Sequence, residues 1–338
     1  MTAPPPPSAI EEIEEPVDAA RLAAVRQAGK PVVMRGLVSD WPAVAAAREG
    51  DERFVDYLTS GPATRPVTAI AAPPGEHGRF FYNADLTGFN FVTGQGHLPM
   101  FLSDLLLARH VPDPPGMAVQ SEDISQLLPH FARENRLHLL PRVSPRIWIG
   151  NRIRVAPHYD VKENIACCVA GRRRFTLFPP DQIGNLYPGP FELTPAGTPV
   201  SMVNMDAPDL VAHPRFSEAW KHAAQATLMP GDAIYIPYCW WHGVESLEPL
   251  SVLVNYWWNE GEPEGVGGPY DALLHAILAY RHLPPARRAV WRGMLEHYVF
   301  EANGDPAAHL PERAKGVLGA PEPGLFTRMR QIIREALG

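Results

Sequence analysis

Between Arg146 and Trp258 the chain is a succession of short β-branched and aromatic runs, each closed by Gly, Pro or Asn: RIWIGNRIRV, NIACCVAG, RRRFTLFPP, DAIYIP and LSVLVNYWW. Such runs are too short for ordinary helices, and the residues between them break or turn a strand. The spacing predicts an antiparallel sandwich or barrel, in which strands distant in sequence become neighbours. Proline enforces the same brevity elsewhere: 38 of 338 residues are Pro, well above the average of about 5%.

The flanks read differently. Residues 1–16, with PPPP and an EEIEE cluster, read as a solvated, disordered tail. A helix follows through Leu22, Val25 and Arg26, and PVVMRG (31–36) reads as a buried strand closed by glycine. WPAVAAAREG (41–50), Phe54 to Leu58 and Leu98 to Arg109 read as helices, and residues 64–82 as strands about a Pro-Gly turn at 74–75. Gly261 to Gly268 is a Gly- and Pro-rich link. Beyond it, Tyr270–Tyr280, Pro285–Phe300 and Phe326–Leu337 are helical stretches, with Leu273, Leu274, Ile277 and Leu278 on one face. The expected organisation is a mainly β (α+β) domain over 17–260, with N-terminal helices, and a helical region over 261–338 that is a possible dimerisation element.

Several function classes are disfavoured. The formal net charge is −7, and no Lys/Arg block marks a nucleic-acid or anionic-membrane surface. No apolar run reaches the ~18–20 residues of a membrane span, and the start lacks the pattern of a secretory signal. Cys167, Cys168 and Cys239 are too few for a disulfide framework. Neighbours on a strand, Cys167 and Cys168 point to opposite faces, and a cytoplasmic location is expected.

The chemistry gathers in two segments. In Pro157-His158-Tyr159-Asp160, positions i and i+2 of a strand share a face, so His158 and Asp160 project together. They supply two of the three ligands of a 2-His-1-carboxylate centre. A turn, Met229-Pro-Gly-Asp232, leads into the strand Ala233–Pro237 and then Trp240-Trp241-His242. A barrel would bring His242 beside His158. Taken singly, His242 reads equally as a half-buried core histidine, and the His158/Asp160 pair as an unrelated surface pair.

The ordered string HYD, FPPDQ, PGD, IP, WWH and a strand containing Asn resembles the cupin-like, JmjC-related family, in particular its asparaginyl-hydroxylase branch. The matching stretches are KPVVMRGLVSDWPA (30–43), APHYDVKENIACCVAGRRRFTLFPPDQIGNLYPGP (156–190) and MPGDAIYIPYCWWHGVESLEPLSVLVNYWW (229–258). The resemblance spans residues 22–258. It implies a double-stranded β-helix (a cupin jelly roll) holding Fe(II), with 2-oxoglutarate as co-substrate. It places His158, Asp160 and His242 on the metal ligands, Asn164 and Asn255 on the co-substrate pocket, and Trp257 on an aromatic wall. C-terminal helices form a dimer interface in that branch.

Three positions depart from the branch. Arg173 falls where it has a lysine for the distal carboxylate of 2-oxoglutarate; Arg is cationic but longer and forked. Val155 replaces a threonine and Ala118 a tyrosine. Arg173 could equally be one of three solvated arginines. Phe80, Phe81, Tyr82 and Trp240 are candidates for a pocket mouth, against core packing. The loop Pro188–Gln225, with Met202, Met205, His213 and Trp220, is a candidate entrance element.

The function so expected is an Fe(II)- and 2-oxoglutarate-dependent oxygenase, hydroxylating a protein side chain or a small molecule. Two alternatives stay open: a metal-binding cupin without oxoglutarate turnover, and a structural or interaction protein. Nothing supports nucleophilic catalysis at Cys239, which reads as a core thiol, and no glycine loop cradles a phosphate.

Overall fold

A computed structural model describes residues 6–259 and 268–337. The chain divides into two compact units, residues 1–258 and 259–338. Most of the Gly- and Pro-rich link, residues 260–267, lies outside the described residues.

The first unit is built on two mixed sheets. One orders β1 (Ser8–Ala9), β12 (Ala224–Leu228), β11 (Arg173–Phe178), β14 (Trp241–Ser246), β9 (Arg154–Tyr159) and β5 (Arg79–Phe80). The other orders β2 (Glu11–Ile13), β3 (Val32–Met34), β13 (Ala233–Ile236), β10 (Glu163–Ala170), β15 (Ser251–Trp258), β8 (Pro145–Gly150), β7 (Gly116–Asp123), β4 (Val67–Ala72) and β6 (Val92–Gly96). Strands β8, β10, β13 and β15 thus share one sheet, and β9, β11, β12 and β14 the other. This is a jelly roll, the mainly β fold with flanking helices expected from the sequence.

The strand sequences explain the layering. Every residue of β10 after Glu163 is buried, because both of its faces are covered. Cys168 joins Phe175, Leu177, Ile234 and Leu253 between the sheets. Cys167 joins Val252, Val254 and Tyr256 on the outer face, under Leu22, Val44, Phe54 and Leu102 of the helices. The two thiols therefore point to opposite faces, and all three cysteines are free. The covering helices include α1 (Ala19–Ala28), α2 (Pro42–Glu49), α3 (Asp51–Thr59), α4 (Leu98–Ala108), α5 (Ile124–Leu127) and α6 (Pro129–Glu134). In α1, Asp18 caps the start by accepting from the Arg21 N–H at 2.8 Å, and Gly29 closes the end in the left-handed region. The turn between β10 and β11 rests on Gly171, at φ +69°. A Cβ there would lie 2.5 Å from the Leu250 carbonyl oxygen, so only glycine fits.

The N-terminal segment departs from the expected tail. Strand β1 pairs with β12, and β2 with β3, so five residues tie the segment into both sheets. Ile10 is 4% and Ile13 5% exposed, and Arg35 holds Glu12 and Asp232 together. The charge of EEIEE suggests solvation, yet Ile10 and Ile13 bury enough apolar surface to order the segment.

The loop after β11 contains the short helix α7 (Phe216–Lys221) and an isolated bridge between Pro188 and Ser201. The second unit contains α8 (Pro269–Tyr280), α9 (Pro285–Tyr298) and α10 (Pro323–Leu337). Neither α8 nor α9 has a buried residue.

Candidate metal centre

Strands β9 and β14 run antiparallel with His158 directly opposite His242. Both residues sit at the same end of their ladder, next to the turn after β9 that carries Asp160. The nitrogens of the two imidazoles and a carboxylate oxygen of Asp160 lie within 4.8 Å of one another. His242 Nε2 is 3.6 Å from Asp160 Oδ2, and the two ring centroids are 4.3 Å apart.

Local hydrogen bonds set the tautomers. Nδ1 of His158 is 3.0 Å from the Ala156 carbonyl oxygen, and Nδ1 of His242 is 3.0 Å from that of Trp240. A carbonyl only accepts, so each Nδ1 carries the proton and each Nε2 presents a lone pair to the common space. Such outer hydrogen bonds typically orient a metal-binding imidazole. Burial, with the adjacent His242 as a second cause, holds the pKa of His158 below the ordinary imidazole value. It is therefore neutral near pH 7, as a ligand must be.

These three side chains line one cavity. Asn164, Arg173, Asn255 and Trp257 line the same cavity. Arg173 is only 4% exposed. Its Nε–H donates to the Ser251 hydroxyl at 2.9 Å, and Nη2 to the Ser251 carbonyl at 3.3 Å. No carboxylate pairs with it among the described residues, and burial pulls its pKa down to about 10, which leaves it cationic. A buried cation facing a cavity without a counter-charge is costly unless an anion joins it. The solvated-arginine alternative is thereby excluded. Arg173 pairs with Ser246, four residues beyond His242 on β14, or about 13 Å along the strand at ~3.3 Å per residue. The ion site and the guanidinium thus occupy different depths of one cavity.

The amides point the same way. Asn255 Oδ1 accepts from the Trp148 indole at 2.7 Å, and its Nδ2 reaches Asn164 Oδ1 at 3.4 Å. With both amide oxygens engaged, the pair offers the cavity N–H donors, which suit an anion. Apart from Gln120 and the Trp148 indole N–H, the remaining wall is apolar: Ile153, Val155, Phe175, Val244 and Leu253 among others. Val155 and Ala118 lie on it, so the two departures from the family pattern fall on the cavity and donate no hydrogen bond there.

The donor set fits the implied cofactors. Two neutral imidazoles and one carboxylate, with no thiolate ligand, are the set of a non-haem Fe(II) centre that keeps open positions. Arg173 and the two amides complement a carboxylate.

The sequence missed Trp148, Gln120, Phe175, Pro195 and Ala196, which also line the cavity. Alternation along β8 and β11 marks Trp148 and Phe175 as facing one side, but nothing in a single strand says which side is hollow. Phe80, Phe81 and Tyr82 are buried in small clusters, and Trp240 packs on the inter-sheet core, so none of the four lines the cavity. Of the long loop, Pro195 and Ala196 reach the cavity; Met202, Met205, His213 and Trp220 are not among its lining residues.

Comparison with known proteins gives the class. Residues 19–263 match the model of a family described as "Cupin-like domain". The chain belongs to this family, in its JmjC-type branch, whose members use Fe(II) and 2-oxoglutarate. Among curated relatives it is 37% identical over 117 residues to the lysine-specific demethylase JMJ31 of Arabidopsis thaliana, covering 34% of this chain and 21% of that protein. It is 39% identical over 115 residues to HSPB1-associated protein 1 of Homo sapiens (33% and 22%), and 34% identical over 141 residues to Jumonji C domain-containing protein 5 of Drosophila melanogaster (41% and 33%). The matches thus span between about a fifth and a third of these relatives. No described helix is long and apolar enough to cross a membrane.

Proposed function

We propose that this chain is an Fe(II)- and 2-oxoglutarate-dependent oxygenase that hydroxylates a C–H bond of a protein side chain or small molecule. The observation that carries the reading is one cavity holding both a His–Asp–His group and an unpaired, buried arginine. When bound, the iron and the 2-oxo acid together activate O2, with decarboxylation of the oxo acid to succinate, and oxidise the substrate.

The chain's own residues do the rest. His158, Asp160 and His242 would hold the ion, a donor set that suits a non-haem Fe(II) centre. Arg173 holds the distal carboxylate of the co-substrate, bidentately where its free N–H groups allow, and Asn164 and Asn255 donate to it. The apolar wall keeps water from the reacting centre. Trp257 and the Pro195–Ala196 loop line the same cavity and would meet the substrate there. The −7 charge favours neither nucleic acid nor membrane as a partner, and a cytoplasmic setting suits three unpaired thiols.

The test is succinate production by the iron-loaded protein. It should depend on 2-oxoglutarate and O2 and vanish in His158→Ala. Turnover surviving that substitution would refute the reading. The metal-binding cupin without turnover is favoured only by Val155 and Ala118, which withhold two donors, and it predicts metal retention without succinate.

We further propose self-association through the second unit. Leu273, Leu274, Leu278, Trp291, Met294 and Phe300 are exposed along α8, α9 and the residues after them, more apolar surface than a small helical unit leaves bare without a partner. Equilibrium sedimentation should give a dimer, and Leu274→Glu with Leu278→Glu a monomer. A monomeric wild type would refute this.

A further inference from the structure

Trp257 does more than form a wall. Its indole Nε1–H donates to Asp160 Oδ2 at 3.0 Å. This is the same oxygen that faces His242 Nε2 at 3.6 Å. The indole ring is itself fixed: Trp148 meets it edge-on, at 5.8 Å between centroids and 85° between planes. Trp148 in turn is tied by its own N–H to Asn255 Oδ1 at 2.7 Å. Asn255, Trp148, Trp257 and Asp160 therefore form a continuous train from the amides of the co-substrate subsite to the carboxylate of the metal centre.

We propose that Trp257 is a positioning residue for the metal centre. It sets the rotamer of Asp160 and holds Oδ2 toward the ion position, and Trp148 steadies it. The physical reason is that Asp160 sits on a turn just beyond the end of β9. Its backbone is held there by the Cys239 N–H on its carbonyl, at 3.0 Å, but that bond leaves the side-chain torsions free. The imidazoles have carbonyl partners that orient them; the carboxylate has the indole. A hydrogen bond to the ligand oxygen also lowers its tendency to swing and bind through both oxygens, which would occupy a position needed for another ligand. The inference rests on the proposed metal centre and assigns a residue that acts through Asp160 on the ion.

The test needs no turnover. Co(II) alone is titrated into the metal-free full chain and its binding followed by absorbance. Trp257→Phe keeps the ring and removes the N–H. It should weaken Co(II) binding about 10-fold, the usual effect of losing such an outer partner, while the melting temperature of the metal-free protein stays within about 2 °C. In an Asp160→Ala background, which has no side-chain acceptor, the same change should add nothing, a non-additivity that a merely structural tryptophan would not show. Equal Co(II) affinity in wild type and Trp257→Phe would overturn the proposal and leave the metal centre standing. A wild type that binds no Co(II) would remove the centre and the proposal together. Should Trp257→Phe fail to fold, the Trp257 indole N–H resonance of the wild type decides: Zn(II) should shift it, and an unmoved resonance would overturn the proposal.

Discussion

His158 and His242 face each other across the β9–β14 ladder, ring centroids 4.3 Å apart, each with its Nδ1 proton on the carbonyl oxygen two residues before it. Two imidazoles this close, one buried and one half-buried, cannot both be charged at modest cost. The arrangement makes sense as a pair of neutral donors aimed at one cation, and it ties the stability of the protein to pH.

The metal-free protein should lose stability on acidification. Burial lowers the folded-state pKa of His158, whereas an unfolded imidazole titrates near 6.5. Below about pH 6.5 the unfolded chain binds a proton that the folded one resists, so stability falls as pH drops, by at most about 1.4 kcal/mol per unit for this group. Urea unfolding at pH 7 and 5.5 should show the loss, and His158→Gln should reduce it. An unchanged slope in the variant would show that other groups cause it.

Arg173→Met should separate binding from stability. It removes an unpaired buried cation, so the ligand-free protein should gain about 1–2 kcal/mol, read as a higher melting temperature. Affinity for 2-oxoglutarate should fall at least 100-fold, since a charge-assisted pair is lost. A variant that is destabilised and still binds 2-oxoglutarate would contradict the role given to Arg173.

Deleting residues 1–14 should cost about 3–5 kcal/mol. Ile10 and Ile13 each bury a whole side chain, worth ~1.5–3 kcal/mol apiece, and Arg35 loses Glu12. Chemical denaturation of the truncated chain measures this; a loss below 1 kcal/mol would show the segment to be dispensable.

In the native protein Cys167 and Cys168 should resist thiol reagents. Burial pushes both thiols up, Cys168 to about 12, so almost no thiolate exists at pH 8. Cys239, half-buried and also raised by burial, should react slowly and alone. Fast labelling of three thiols without denaturant would refute the packing of β10.

The sequence displays the jelly roll because each strand carries its own punctuation: β-branched runs ending at Gly171, Pro179, Pro237 and the like are local signals. His158 and Asp160 are legible for the same reason, an i, i+2 spacing that only a strand turns into proximity. His242 is not local. Its place opposite His158 depends on strand order, which the family pattern supplies and periodicity does not. Arg173 shows the limit of composition: in RRR the middle arginine looks like its neighbours, and only the pairing of β11 with β12 and β14 turns it inward. The N-terminal segment reads as solvated because EEIEE carries four glutamates, whereas the burial of Ile10 and Ile13 requires partners about 20 and 210 residues away. Trp148 and the Trp257–Asp160 hydrogen bond have no signature along the chain, since each joins strands that meet only in the folded sheets.

If one cavity holds Fe(II) and 2-oxoglutarate together, anaerobic titration of the Fe(II)-loaded protein with 2-oxoglutarate should give a metal-to-ligand charge-transfer absorption that saturates at one equivalent and is absent in His242→Ala and Arg173→Met. Saturating 2-oxoglutarate with no such band in the wild type, although iron is bound, would contradict that joint occupancy.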